Sequence, residues 1–130
     1  MPNVMVLAGT AKGLFVLESN AKRARWRRRG PFLKGVSVNH FAWDPKTRTV
    51  YATTSTEGIL SSRNRARTWA PLNDGLPIRK VWTLAVNPKD SRELWAGTHY
   101  SYLFKSADRG KTWQAAAGYL NAPGKGDRWG

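Results

Sequence analysis

An all-β fold of repeated four-stranded antiparallel units is what this chain of 130 residues predicts, on three observations. Landmarks recur with a period of about 44. Trp26, Trp69 and Trp113 stand 43 and 44 residues apart, each with a Ser seven residues before it (Ser19, Ser62, Ser106). Leu7-Ala8-Gly9-Thr10, Tyr51-Ala52-Thr53-Thr54 and Trp95-Ala96-Gly97-Thr98 recur every 44 residues, and Trp43-Asp44-Pro45 matches Val86-Asn87-Pro88 at a spacing of 43. Within each unit, short β-branched and aromatic runs alternate with Pro, Gly, Asn and Asp. No window holds a helical period over about ten residues. Four short antiparallel strands per unit of about 40–45 residues describe one blade of a β-propeller.

The elements follow in order. Blade 1 covers about 4–35, blade 2 about 36–76 and blade 3 about 77–120, with a tail at 121–130. Residues 1–130 thus read as one partial propeller domain of about two and three-quarter blades, an incomplete propeller. Blade 1 opens at Val4–Gly9 and lacks the strand that precedes this position in the other units. Blade 2 supplies Ser37–Trp43, Thr49–Thr54, Gly58–Ser62 and Arg67–Leu72. Blade 3 supplies Val81–Val86, Glu93–Gly97, Tyr102–Ser106 and Lys111–Ala115. A closed ring has about 4–8 blades, so this period needs about 180–350 residues. Fewer blades leave open edges and faces that favour self-association. The sequence therefore predicts either closure by oligomerisation or a truncated product of a longer gene. Truncation is preferred, because 121–130 reads as a loop cut before a next blade.

Composition excludes several classes. There are 22 Lys+Arg against 8 Asp+Glu, a formal net charge of +14 and no Cys. Disulfides, Cys-ligated zinc and thiol nucleophiles are thereby excluded. Apolar runs such as Val4–Ala8 are far shorter than the ~20 residues of a membrane span. The N-terminus lacks the regions of a signal peptide, so the expected location is cytoplasmic with no membrane partner. At 41% hydrophobic with seven Trp, the chain can build a core.

Residues 106–113 read Ser-Ala-Asp-Arg-Gly-Lys-Thr-Trp. Ser106 and Asp108 suit hydrogen bonding to turn backbone, Gly110 suits a positive φ, and Trp113 is expected to pack between blades. Thr112 completes the pattern Ser-x-Asp-x-Gly-x-Thr-Trp. A degenerate copy, Ser62, Asn64, Thr68 and Trp69, has Ala66 at the Gly position, where a positive φ should cost about 1 kcal/mol. The copy from Ser19 to Trp26 has lost the pattern.

On these residues, and on Val6–Ser19, the chain resembles the BNR/Asp-box repeat proteins (WD40/YVTN/BNR-like) of sialidase-like or sortilin-like β-propeller fold. The resemblance covers essentially the whole chain. It implies that the Asp-box residues are structural, forming a hairpin on the rim of each blade, remote from the active site of true sialidases. It also implies, for an active sialidase, an Arg-Ile-Pro motif in the first blade. None occurs; Pro77-Ile78-Arg79 has the letters in another order and lies before a blade.

Catalytic residues are therefore assigned to none. Two carboxylates facing one cleft would be needed for glycoside hydrolysis, and of the eight acids only Glu57 and Asp127 lack an evident local role. His40 and His99 have no ligand partner at a recognised spacing, so no metal and no cofactor is expected. His99 and Tyr100 end a strand that reaches a propeller face and are the binding candidates. Arg25, Arg27, Arg28 and Arg29 are candidates for polyanion contact, with Trp26 able to stack a base. The expected function is binding or scaffolding by a BNR/Asp-box propeller without catalysis in this chain, its ligand unknown. The alternatives are a truncated sialidase-like glycoside hydrolase and a basic protein that binds polyanions or nucleic acid.

Overall fold

A computed structural model describes residues 4–19, 25–99 and 102–116; the expected tail at 121–130 and the candidate Tyr100 lie outside them. Strands β1 Val4–Thr10, β2 Gly13–Ser19 and β3 Trp26–Phe32 form a three-stranded sheet. Strands β4 Val38–Asp44, β5 Thr49–Thr54, β6 Ile59–Ser62 and β7 Ala70–Pro71 form a second sheet of four. Strands β8 Val81–Val86, β9 Leu94–Thr98, β10 Tyr102–Ser106 and β11 Gln114–Ala115 form a third. Every pairing is antiparallel between sequence neighbours. The fold is all-β, and the repeat period is the blade.

The strands are short because each turn has its own chemistry. Between β4 and β5, Lys46 N donates to Asp44 Oδ1 at 3.1 Å. At the same phase of the third sheet, Lys89 N donates to Asn87 Oδ1 at 2.9 Å. Both are Asx turns ahead of a Pro-Lys pair. Burial pushes the Asp44 carboxyl up, but bonds from Thr47 and the Lys46 amide outweigh it and hold it below its usual range.

The outermost strands are shorter than the sequence predicts. Arg67–Leu72 reduces to Ala70–Pro71 and Lys111–Ala115 to Gln114–Ala115. Side-chain bonding upstream diverts the amides that a longer ladder would use. Thr68 N goes to Asn64 Oδ1 and Thr112 N to Asp108 Oδ1. Trp113 N donates to the Asp74 carbonyl, outside its own sheet. Pro71 is tolerated because β7 is an edge strand.

The core lies between sheets. One cluster joins the second and third: Tyr51, Ile59, Leu76, Val81, Leu84, Leu94, Phe104 and Trp113 are buried together. A smaller one joins the first and second through Leu14, Val38 and Ala52, with Leu7, Phe32, Phe41 and Trp69 against it. The first strands of successive sheets meet, β4 against β8, while β1 lies against β4. The opposite face of the first sheet, with Val6 exposed and paired to Leu17, has no neighbour among the described residues.

Candidate functional site

The loops at 62–69 and 106–113 are built alike. In the third sheet, Ser106 Oγ donates to Asp108 Oδ1 at 2.8 Å and accepts from Gly110 N at 2.8 Å. Thr112 donates twice to Asp108, from its amide at 2.9 Å and its hydroxyl at 2.6 Å. The Thr112 side-chain bond, then its amide and Ser106, pull the Asp108 carboxyl down to about 2. In the second sheet, Ser62 Oγ donates to Asn64 Oδ1 at 2.9 Å and accepts from Ala66 N at 3.0 Å. Asn64 accepts from Thr68 N and donates to Thr68 Oγ1. The backbone conformation is shared: Arg65 and Ala66 have φ of 63° and 67°, Arg109 and Gly110 of 63° and 88°. These bonds shape the two loops and engage the side chains of Ser62, Asn64, Thr68, Ser106, Asp108 and Thr112.

The three phase-related tryptophans diverge. Trp113 is 3% exposed and bonds across to the second sheet. Trp69 is partly buried against the first. Trp26, which follows no described sheet, is 44% exposed.

The N-terminal ends of β4 and β8 hold a different arrangement. In both strands the ladder slips by one residue, between Val38 and His40 and between Val81 and Thr83. Asn39 and Trp82 are the extra residues, at the same repeat phase. A bulge re-aims its side chain, and here it turns Trp82 out, 47% exposed. Asn39 Nδ2 donates to the Val81 carbonyl at 2.8 Å, joining the two bulges. Lys80 Nζ sits 5.3 Å from the centre of the Trp82 ring, within cation–π range. His99 also lies beside it, ring centres 6.3 Å apart and planes tilted by 60°. The His99 amide donates to the Lys80 carbonyl at 2.8 Å, which ties the end of β9 to the start of β8. The sequence pointed to His99 and missed Trp82 and Lys80. The legible signal was the shared phase of Asn39 and Trp82; the slip that exposes them was not.

The basic candidates separate. Arg29 is enclosed: its Nε bonds Glu18, its Nη2 donates to the Arg65 carbonyl at 3.3 Å, and its Cζ lies 5.6 Å from the Phe32 ring centre. Arg28 projects to the other face of β3, over Phe15. Arg25 and Arg27 are exposed.

The described carboxylates are largely occupied. Glu18 holds Arg29, Asp90 holds Arg92, and Glu93 accepts from Trp95 Nε1 and Asn87. Among the described residues no three His, Cys, Asp or Glu gather as a metal site, and no helix is long and apolar enough to cross a membrane.

No family model matches the chain. Over 43 residues it is 46% identical to a probable oligoxyloglucan-reducing end-specific xyloglucanase of Neosartorya fischeri, covering 33% of this chain and 5% of that protein. A structure of YCF48 bound to D1 peptide superimposes with a TM-score of 0.65 at 12% identity, over 85% of this chain and 36% of the other. The GH74 xyloglucanase of Xanthomonas campestris superimposes with a TM-score of 0.61 at 18% identity, over 88% of this chain and 21% of the other. The chain thus spans a minor part of each relative's length. At such identities the likeness is one of fold, and the fold is that of a β-propeller, of which three blades are described.

Proposed function

We propose that this chain is an Asp-box β-propeller segment that binds or scaffolds a ligand and does not itself catalyse. The carrying observation is the N-terminal ends of β4 and β8, where paired bulges present the Trp82 ring beside Lys80 and His99. An exposed indole with a cation and an imidazole beside it suits stacking and hydrogen bonding to a neutral or weakly charged ligand. The local engagement of Glu18, Asp44, Asp90, Glu93 and Asp108 supports the non-catalytic reading, since a glycosidase needs two carboxylates free to face one substrate. Fold alone does not choose a ligand. The names of the two solved neighbours include a peptide complex and a xyloglucanase.

A second reading is a glycoside hydrolase segment, favoured by the 43-residue match to a xyloglucanase. Xyloglucan oligosaccharides separate the two. Under the binding reading they quench tryptophan fluorescence, the quench is lost in Trp82→Ala, and no new reducing ends form. Release of reducing ends by the purified chain would overturn it in favour of hydrolysis.

A further inference from the structure

We infer that the rim seam between the first and second blades is a binding site for single-stranded nucleic acid, held by its phosphodiester backbone. The seam is made by Arg29, which bonds Glu18 on its own sheet and the Arg65 carbonyl on the next. That clasp places β3 beside the Asp-box loop of blade 2. Arg27 lies two residues along β3 from Arg29, on the same face and about 7 Å away. Arg63, Arg65 and Arg67 are exposed on the loop. No ion pair among the described residues involves any of these four.

The charge there is uncompensated. No acid occurs between Glu18 and Asp44 or between Glu57 and Asp74, and Glu18 is committed to Arg29. The loop also carries Asn64 where its counterpart carries Asp108. The amide keeps the turn's bonds to Ser62 and Thr68 while removing the negative charge. The equivalent loop of blade 3 sets Asp108 among Arg109 and Lys111. The blade 2 loop has three Arg and no acid.

All four cations are Arg, whose planar fork takes a phosphate in a bidentate way. Trp69, packed against the first sheet at this seam and partly exposed, adds an indole on which a base can stack, the pairing that single-strand sites use. Trp26 lies on the opposite face of β3 from Arg27 and Arg29, with Arg28, and takes no part in the seam. The absence of a helix or ribbon at the seam to enter a groove favours single over double strands.

The test is fluorescence anisotropy of a labelled 12-nucleotide oligo(U) with the purified chain over a salt series. Single strands give a slope of log K against log salt of about −0.7 per neutralised phosphate, so four contacts predict about −3. The triple variant Arg63→Ser/Arg65→Ser/Arg67→Ser should bind about tenfold or more weaker, with a slope shallower by about 2. A control of equal charge, Lys46→Ser/Lys89→Ser/Lys111→Ser, should keep the wild-type slope. The triple Arg→Lys variant should keep most of it, and circular dichroism checks that each folds. Trp69→Leu, checked for folding in the same way, should weaken binding about fivefold or more, and Trp26→Ala should leave it unchanged. Equal loss in both Ser variants would overturn the site and leave diffuse charge adhesion. So would a heparin fragment that binds as tightly and ignores Trp69→Leu, since a sulfated polysaccharide would then be the ligand.

Discussion

Trp113 Nε1 donates to the Leu72 carbonyl at 2.9 Å across the boundary between the second and third blades. A single side chain thus fills the inter-blade core and satisfies a backbone group of the neighbouring sheet. Its position in the repeat is shared with Trp69 and Trp26, but its surroundings are not.

The three tryptophans should therefore differ in stability cost. Trp113→Ala empties a buried site and should destabilise by about 3–5 kcal/mol. Trp26→Ala, at a half-exposed ring, should cost under about 1 kcal/mol. Trp69→Ala should fall between. Urea unfolding of the three variants checks the order; equal costs would mean that the inter-blade cores do not set stability.

The Asp108 carboxyl, lowered to about 2 from 3.8 by Thr112 and Ser106, makes the blade 3 loop acid-labile. A depressed carboxylate contributes stability above its unfolded value, and that contribution is lost as pH falls from about 4 through about 2. The blade 2 loop has neutral Asn64 in that place. Asp108→Asn should keep the loop at neutral pH and flatten the acid limb of the melting temperature. Asp108→Ala should lower the melting temperature at pH 7 as well. Thermal unfolding between pH 2 and 7 reads both; an acid limb unchanged by Asp108→Asn would exclude Asp108 as its source.

Ala66 gives a more balanced case. Its φ of 67° costs about 1 kcal/mol relative to Gly. Its methyl is fully buried, and burial of one carbon contributes about 0.8 kcal/mol. Ala66→Gly should accordingly change stability by less than about 1 kcal/mol. Gly110→Ala has the strain, and its added Cβ would come within 2.8 Å of Leu72 Cδ1, a movable atom. A loss of about 1–2 kcal/mol is expected. A gain of about 1 kcal/mol or more in Ala66→Gly, measured by chemical denaturation, would show that the methyl contributes nothing.

Arg29, held by Glu18 on its own sheet, reaches the Arg65 carbonyl of the next and clasps the first two blades where the apolar interface is smaller. Glu18→Ala leaves Arg29 partly buried without its carboxylate and should destabilise by about 1–3 kcal/mol. Amide exchange should quicken chiefly in β2 and β3. Uniform quickening across all three sheets would refute a local clasp.

Much of this fold was legible in the residues alone. The 44-residue spacing of Trp and Ser, the Asx-forming Asp44 and Asn87, and Gly110 before Trp113 each specify local geometry. Local bonds suffice to set turns and strands, and strand pairing between sequence neighbours follows from short loops. The residues available for binding were less legible. Arg29 reads as a free cation in a basic run, yet Glu18 and the Arg65 carbonyl enclose it. Trp82 reads as one more strand aromatic, yet a one-residue slip in the ladder expels it beside Lys80 and His99. Both outcomes depend on how sheets distant in sequence pack and register, so side-chain availability was decided by tertiary structure. The sequence by itself determined the repeat, the blades and the rim turns, because those are short-range. Which tryptophan is core and which is surface depended on whether a second sheet lies against it, and only the packed structure supplies that.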